Sequence, residues 1–200
     1  MTEEEWLRCD HPGMIVRECF AIPGANRKGR MLAVRCLELL REERGHDIDL
    51  AFLALAERIA WGERGERDRL RAFRTFSAEY QCLFNWSGYQ AGLQTMNALG
   101  INQYRNRFLN ESEVQAIVEF ALDIFGNPFR PISFSPEWRT TTTVAIAQGM
   151  YESRDFGPMP LLADALQDAG CEVPEIIDHC RRPGPHVRGC RVVDGVLGKA

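Results

Sequence analysis

A chain of 200 residues with 45% hydrophobic and 26% charged residues has globular composition and can bury roughly 70% of the surface its unfolded form exposes, so neither a disulfide nor a metal is needed for it to fold. Its net charge of −4 gives no general attraction to nucleic acid or anionic lipid, and no apolar run approaches the ~20 residues that cross a bilayer. The seven cysteines are odd in number and widely spaced, and the acidic opening MTEEEWLRCD lacks the basic-then-apolar pattern of a signal peptide, so a reduced, cytoplasmic compartment without disulfides is expected.

In chain order, Thr2 and Glu5 have the spacing of a capping box and open a short helix. Pro12 and Gly13 break it, and residues 14–20 form a second turn or helix. From 27 to 43 the apolar positions Met31, Leu32, Cys36, Leu39 and Leu40 recur at helical spacing. Asp47 can cap a helix over 48–61, and the short link between the two predicts a paired helical hairpin. The alternating charges of GERGERDRLR lead into a helix over 66–84 with a solvated face. Ser87 caps another, ending at Gly100.

The clearest amphipathic pattern follows Asn110: Val114, Ile117, Val118, Ala121, Leu122 and Phe125 share one face, and Gly126 stops the helix. NPFRPISFSPEW then reads as an ordered loop whose rings pack onto the body. Thr140 to Thr143 offer N-caps for a helix through Val144, Ala147, Met150 and Tyr151. Pro160 opens the next, with Leu161, Leu162, Ala165 and Leu166 inward, and Pro174 opens one that the PGP at 183–185 ends. The closing VRGCRVVDGVLG suits a helix through Val187, Cys190, Val193 and Leu197 or a small hairpin at Asp194-Gly195; helix is preferred because no second strand is evident. The fold class is all-α, with about eight or nine helices, divided into 1–125 and a C-terminal module over 126–200 that shares its core.

DIFGNPFRP (123–131), LADALQDAGC (162–171), DHCRRPGPHVRGCRVVDGVLGK (178–199) and the opening MTEEEWL resemble an abundant paralogous family of uncharacterised planctomycete proteins that end in a segment like HCRxPGPHVRGCWVVDxxLGK. Arg191 stands where that family has tryptophan and Gly195 where it has a bulkier apolar residue. The resemblance implies no activity, substrate or catalytic residue.

The sharpest chemical constellation is His179, Cys180, His186 and Cys190, with Cys171 nearby. Imidazole nitrogen and thiolate sulfur are zinc ligands, and the PGP turn can fold the two halves together. The spacing matches no usual finger, because His179 and Cys180 are adjacent and point to different sides of a helix. A second possibility is a cysteine nucleophile, Cys180 or Cys190, activated by His186 or His179. The carboxylates Asp155, Asp164, Asp168, Glu172, Glu175 and Asp178 have the spacing of solvated helix faces.

Trp86, Tyr89, Tyr104, Phe108, Phe129, Phe134 and Trp138 are core, or in part a surface for another protein. The functional expectation is therefore a non-enzymatic interaction module or accessory subunit, with no cofactor, no nucleic acid and no membrane among its partners. The alternatives are a small zinc-binding structural domain held by His179, Cys180, His186 and Cys190, and behind it an enzyme of unrecognised type. Cys171, Cys180 and Cys190 are expected to be buried in a scaffold that needs no metal.

Overall fold

The computed structural model describes residues 1–9, 11–20, 22, 26–44, 50–60, 101–102, 105–106 and 110–199. Within them the fold is all-α, with nine α-helices, one 3-10 turn and a two-residue β-ladder. The expected helices over 66–84 and 87–99 lie outside the described residues, as do Trp86, Tyr89, Tyr104 and Phe108. The chain divides into two compact units, Met1–Leu122 and Asp123–Ala200.

In the first unit α1 (Glu3–Leu7) carries the expected capping box: Glu5 N–H donates to Thr2 Oγ1 at 3.2 Å and Thr2 N–H to Glu5 Oε2 at 2.8 Å. Pro12 is the first residue of α2 (Pro12–Phe20) rather than the end of α1, since proline fits a first turn whose amide has no partner to lose. Helices α3 (Asn26–Arg44) and α4 (Leu50–Ala60) pack on each other, and Met31, Leu32, Cys36, Leu39, Leu53, Ala56 and Ile59 are buried. Strands β1 (Ile101–Asn102) and β2 (Arg105–Asn106) pair antiparallel. With two residues a side the ladder is minimal.

Helix α5 (Glu111–Phe125) starts at Asn110, whose Oδ1 accepts Glu113 N–H at 2.9 Å while Glu113 Oε2 accepts Asn110 N–H at 2.7 Å. Its buried face runs through Ile117, Val118, Phe120, Ala121, Ile124 and Phe125, with Val114 and Leu122 half-buried. The face is thus rotated from the expected stripe toward Phe120 and Ile124, and in the last turn burial extends to Asp123.

The second unit continues with a loop that ends in the 3-10 turn Pro136–Trp138. Phe134 and Trp138 pack edge to face, with ring centres 5.3 Å apart. Helix α6 (Thr141–Ser153) is capped by Thr140, which accepts Thr143 N–H at 3.2 Å, and it ends at Arg154 in the left-handed conformation, φ 62. Helices α7 (Met159–Asp168), α8 (Pro174–Arg181) and α9 (Arg191–Leu197) follow. Contacts run α6 to α7, α7 to α8, α8 to α9 and α9 back to α6, so the four helices close on themselves. Inside lie Met150, Met159, Leu162, Leu166, Ile176 and Val193. Leu161, expected inward, is 58% exposed: Met159, Leu162, Ala163 and Leu166 already fill the i, i+3, i+4, i+7 face, and Leu161 falls off it.

The closing segment is helix, not hairpin. Gly195 lets α9 approach the loop, because a Cβ there would lie 2.6 Å from the Phe134 ring. None of the described helices is long and apolar enough to cross a membrane.

Candidate metal centre

Four segments of the second unit deliver one polar side chain each to a common point. Asp123 comes from the last turn of α5, His179 from α8, His186 from the loop after the PGP turn, and Cys190 from the N-cap position of α9. Their ligand-type atoms all lie within 4.8 Å of one another, a grouping that can hold a metal ion. Asp123 and Cys190 are 0% exposed, and the side chains of His179 and His186 are 1% and 5% exposed.

Asp123 is the hub. Its Oδ1 lies 2.8 Å from His186 Nδ1 and 3.2 Å from His179 Nε2, and its Oδ2 accepts the Val187 amide at 3.0 Å. Burial works to raise its pKa, but the hydrogen bonds to His179 and His186 prevail and hold it below the usual carboxylate value. The site therefore contains a buried anion, placed moreover at a helix C-terminus with no basic residue in that turn. The helix dipole disfavours negative charge there, so compensation must come from what Asp123 faces.

Each histidine nitrogen presents it with a proton or with a lone pair, according to tautomer. His186 Nε2 lies 3.3 Å from the Arg182 carbonyl oxygen, which can only accept. A neutral His186 whose Nε2–H donates to it leaves Nδ1 unprotonated and aimed at the carboxylate. Two lone pairs 2.8 Å apart repel unless a proton or a cation lies between them. Burial depresses the pKa of His179 to about 4 against the opposing pull of Asp123, so its imidazole is neutral near pH 7. The two rings meet edge to face at 4.9 Å.

Cys190 Sγ lies 3.1 Å from His179 Nε2. Burial, then the Asp123 charge, push its thiol pKa well above normal, while the amides of Val193 and Val192 favour the thiolate; neither amide closes a capping bond to Sγ. Without a counter-cation Cys190 is thus a thiol. A coordinated metal reverses this, because a ligating thiol is deprotonated outright.

Three of the sequence candidates, His179, His186 and Cys190, meet here, and Cys180 does not belong to the group. It is also buried, with its pKa raised to about 12 by burial. Cys171 is buried in the turn after α7, where its amide donates to the Leu166 carbonyl. Asp123 is the member that donor counting over the C-terminal stretch misses, because the sequence shows it as one residue of an amphipathic helix. The carboxylates are all exposed, Asp164, Asp168, Glu175 and Asp178 on helices and Asp155 and Glu172 in the connections between them.

The geometry differs from a cysteine nucleophile site. There the base bonds sulfur through one nitrogen and is oriented through the other. Here the same His179 Nε2 faces both Cys190 and Asp123, its Nδ1 has no hydrogen-bond partner among the described residues, and the sulfur is buried. Among the described aromatics, Phe134 and Trp138 are half-buried and Phe129 is 39% exposed.

Comparison of the chain with family models, curated proteins and solved structures finds no match.

Proposed function

We propose that residues 123–199 form a small structural domain closed by a zinc ion, with Asp123 Oδ1, His179 Nε2, His186 Nδ1 and Cys190 Sγ as ligands. The observation that carries this reading is the convergence of four metal-type donors from four separate segments on one buried point. Two imidazole nitrogens, one thiolate and one carboxylate form a borderline-soft set that suits zinc and is wrong for magnesium or calcium, which take oxygen. With Asp123 and Cys190 both ionised, the set neutralises a divalent cation.

Zinc bonds of about 2.0–2.3 Å place tetrahedral ligands roughly 3.3–3.8 Å apart, so the closest donors need to open by only a few tenths of an ångström to about one. Four protein ligands leave no position for water or substrate, which favours a structural role over a catalytic one. The likeness to the planctomycete family belongs to the same proposal: Asp123 opens one of the shared segments, and the other three donors lie in the last.

Elemental analysis of the purified full chain tests this. One zinc per chain, retained on gel filtration and lost with Asp123→Ala or Cys190→Ala, is the expected result. A metal-free protein that takes up neither zinc nor cobalt when titrated would overturn it.

A further inference from the structure

Resting on the metal reading above, we infer that His186 is the exchangeable ligand, and that ions enter and leave the centre through the loop 182–189 that carries it. The four ligands are not equivalent. Asp123 and His179 sit within helices and Cys190 at the N-cap of a third, whereas His186 lies in an irregular stretch.

That stretch is the least buried of the four contributors, although the His186 side chain itself is 5% exposed. Arg181, Arg182, Pro183 and Gly184 are exposed and Pro185 and His186 half-buried, while the residues of Asp123, His179 and Cys190 are buried. His186 Nε2, the atom opposite the ligating one, points outward to the Arg182 carbonyl. Of the four ligands His186 is therefore the one next to exposed chain.

After the ligand the loop keeps its place without this imidazole. The Val187 amide donates to Asp123 Oδ2 at 3.0 Å and the Cys190 amide to the Val187 carbonyl at 2.9 Å, so backbone bonds hold it on the C-terminal side of the ligand. On the outer side the fit is tight: a Cβ on Gly184 would lie 2.5 Å from the His186 amide nitrogen. His186 can swing out while Asp123 keeps the loop, leaving Asp123, His179 and Cys190 on the ion and an imidazole-sized gap facing solvent.

Cobalt serves as the probe, because its visible absorption reports tetrahedral geometry and thiolate ligation. The full chain, wild type and with His186→Gly or His179→Gly, is loaded with cobalt, and release to an excess of chelator is timed with and without millimolar imidazole. Loss of a ligand should exceed loss of an outer-shell partner, which costs about 10–100-fold, so His186→Gly should release cobalt at least tenfold faster. Imidazole should restore its absorption and slow its release, and should do nothing for His179→Gly, whose gap is enclosed.

An absence of imidazole rescue in His186→Gly, or equal rescue in His179→Gly, overturns the assignment of the exchangeable ligand while leaving the metal site standing. Failure of the wild type to take up cobalt removes both. Should His186→Gly not fold, Gly184→Ala decides: it retains all four ligands but presses on the His186 backbone, and an unchanged release rate in it rejects the loop as the route.

Discussion

At the scale of single residues the centre turns on which side chains are near neighbours in space, and that is where sequence reading stops. His179, His186 and Cys190 were legible because their atom types announce metal chemistry. Cys180 was not separable from them by type, yet adjacent helical residues diverge by about 100°, so only one of His179 and Cys180 can point at the centre. Asp123 had a physical signature too, an acid in the last turn of a helix with no basic residue beside it, against the dipole. The signature lacked a partner until the fold brought residues from 179 to 190 to it. Cys180→Ser should therefore leave the metal stoichiometry unchanged and Cys190→Ser should abolish it, as read by elemental analysis of the two variants; the reverse pattern would move the centre.

His179 also sets a pH dependence for the metal-free protein. Its folded pKa of about 4 lies below the 6.5 of the unfolded chain, so between those values the unfolded state binds more protons and stability rises with pH. The contribution is complete above pH 6.5 and is lost as pH falls toward 4, with a size of roughly 3 kcal/mol. Denaturant melts of chelated protein at pH 7 and pH 4.5 should show this decline. His179→Phe should flatten it, and an unaltered slope in that variant would place the titration elsewhere.

Elements were more legible than contacts. Periodicity at 3.6 residues located α3, α5, α6 and α7 because each buries one stripe, and prolines marked the first turns of α7 and α8. The errors are of rotation. In α5 the stripe turns toward Phe120 and Ile124 because the last turn is buried on more than one side, and burial there includes Asp123. Ile124 is fully buried and Leu122 only half-buried, so Ile124→Ala should cost roughly 2–5 kcal/mol and Leu122→Ala clearly less. Chemical denaturation of the two variants checks the order, and a larger loss for Leu122→Ala would contradict the rotation. For α9, β-branched residues and an Asp-Gly pair left helix and hairpin both open. The fold decides for helix because Gly195 is needed against the Phe134 ring, and because Val192, Val193 and Val196 are buried together.

For the whole molecule, the all-α class followed from composition and period, while the reason for the dense C-terminal stretch did not. An apolar core of Met150, Met159, Leu162, Leu166, Ile176 and Val193 first suggests that nothing more is required. Domains below roughly 70–80 residues, however, seldom draw more than a few kcal/mol from such a core and gain from a staple. The unit from Asp123 to Ala200 is close to that limit. Its centre joins the end of α5 to α8, to the loop and to α9, so metal and folding should be linked there: an ion at 100 times its dissociation constant adds about 2.7 kcal/mol. Chelation should then lower amide-exchange protection in α6 to α9 and at the end of α5, and leave α3 and α4 as they were. Restoring zinc should return the protection, with the gain rising as the logarithm of free zinc. Equal loss in α3 and α4 would mean that the ion supports more than the unit that binds it, and no loss anywhere would mean that the apolar core alone holds these helices together.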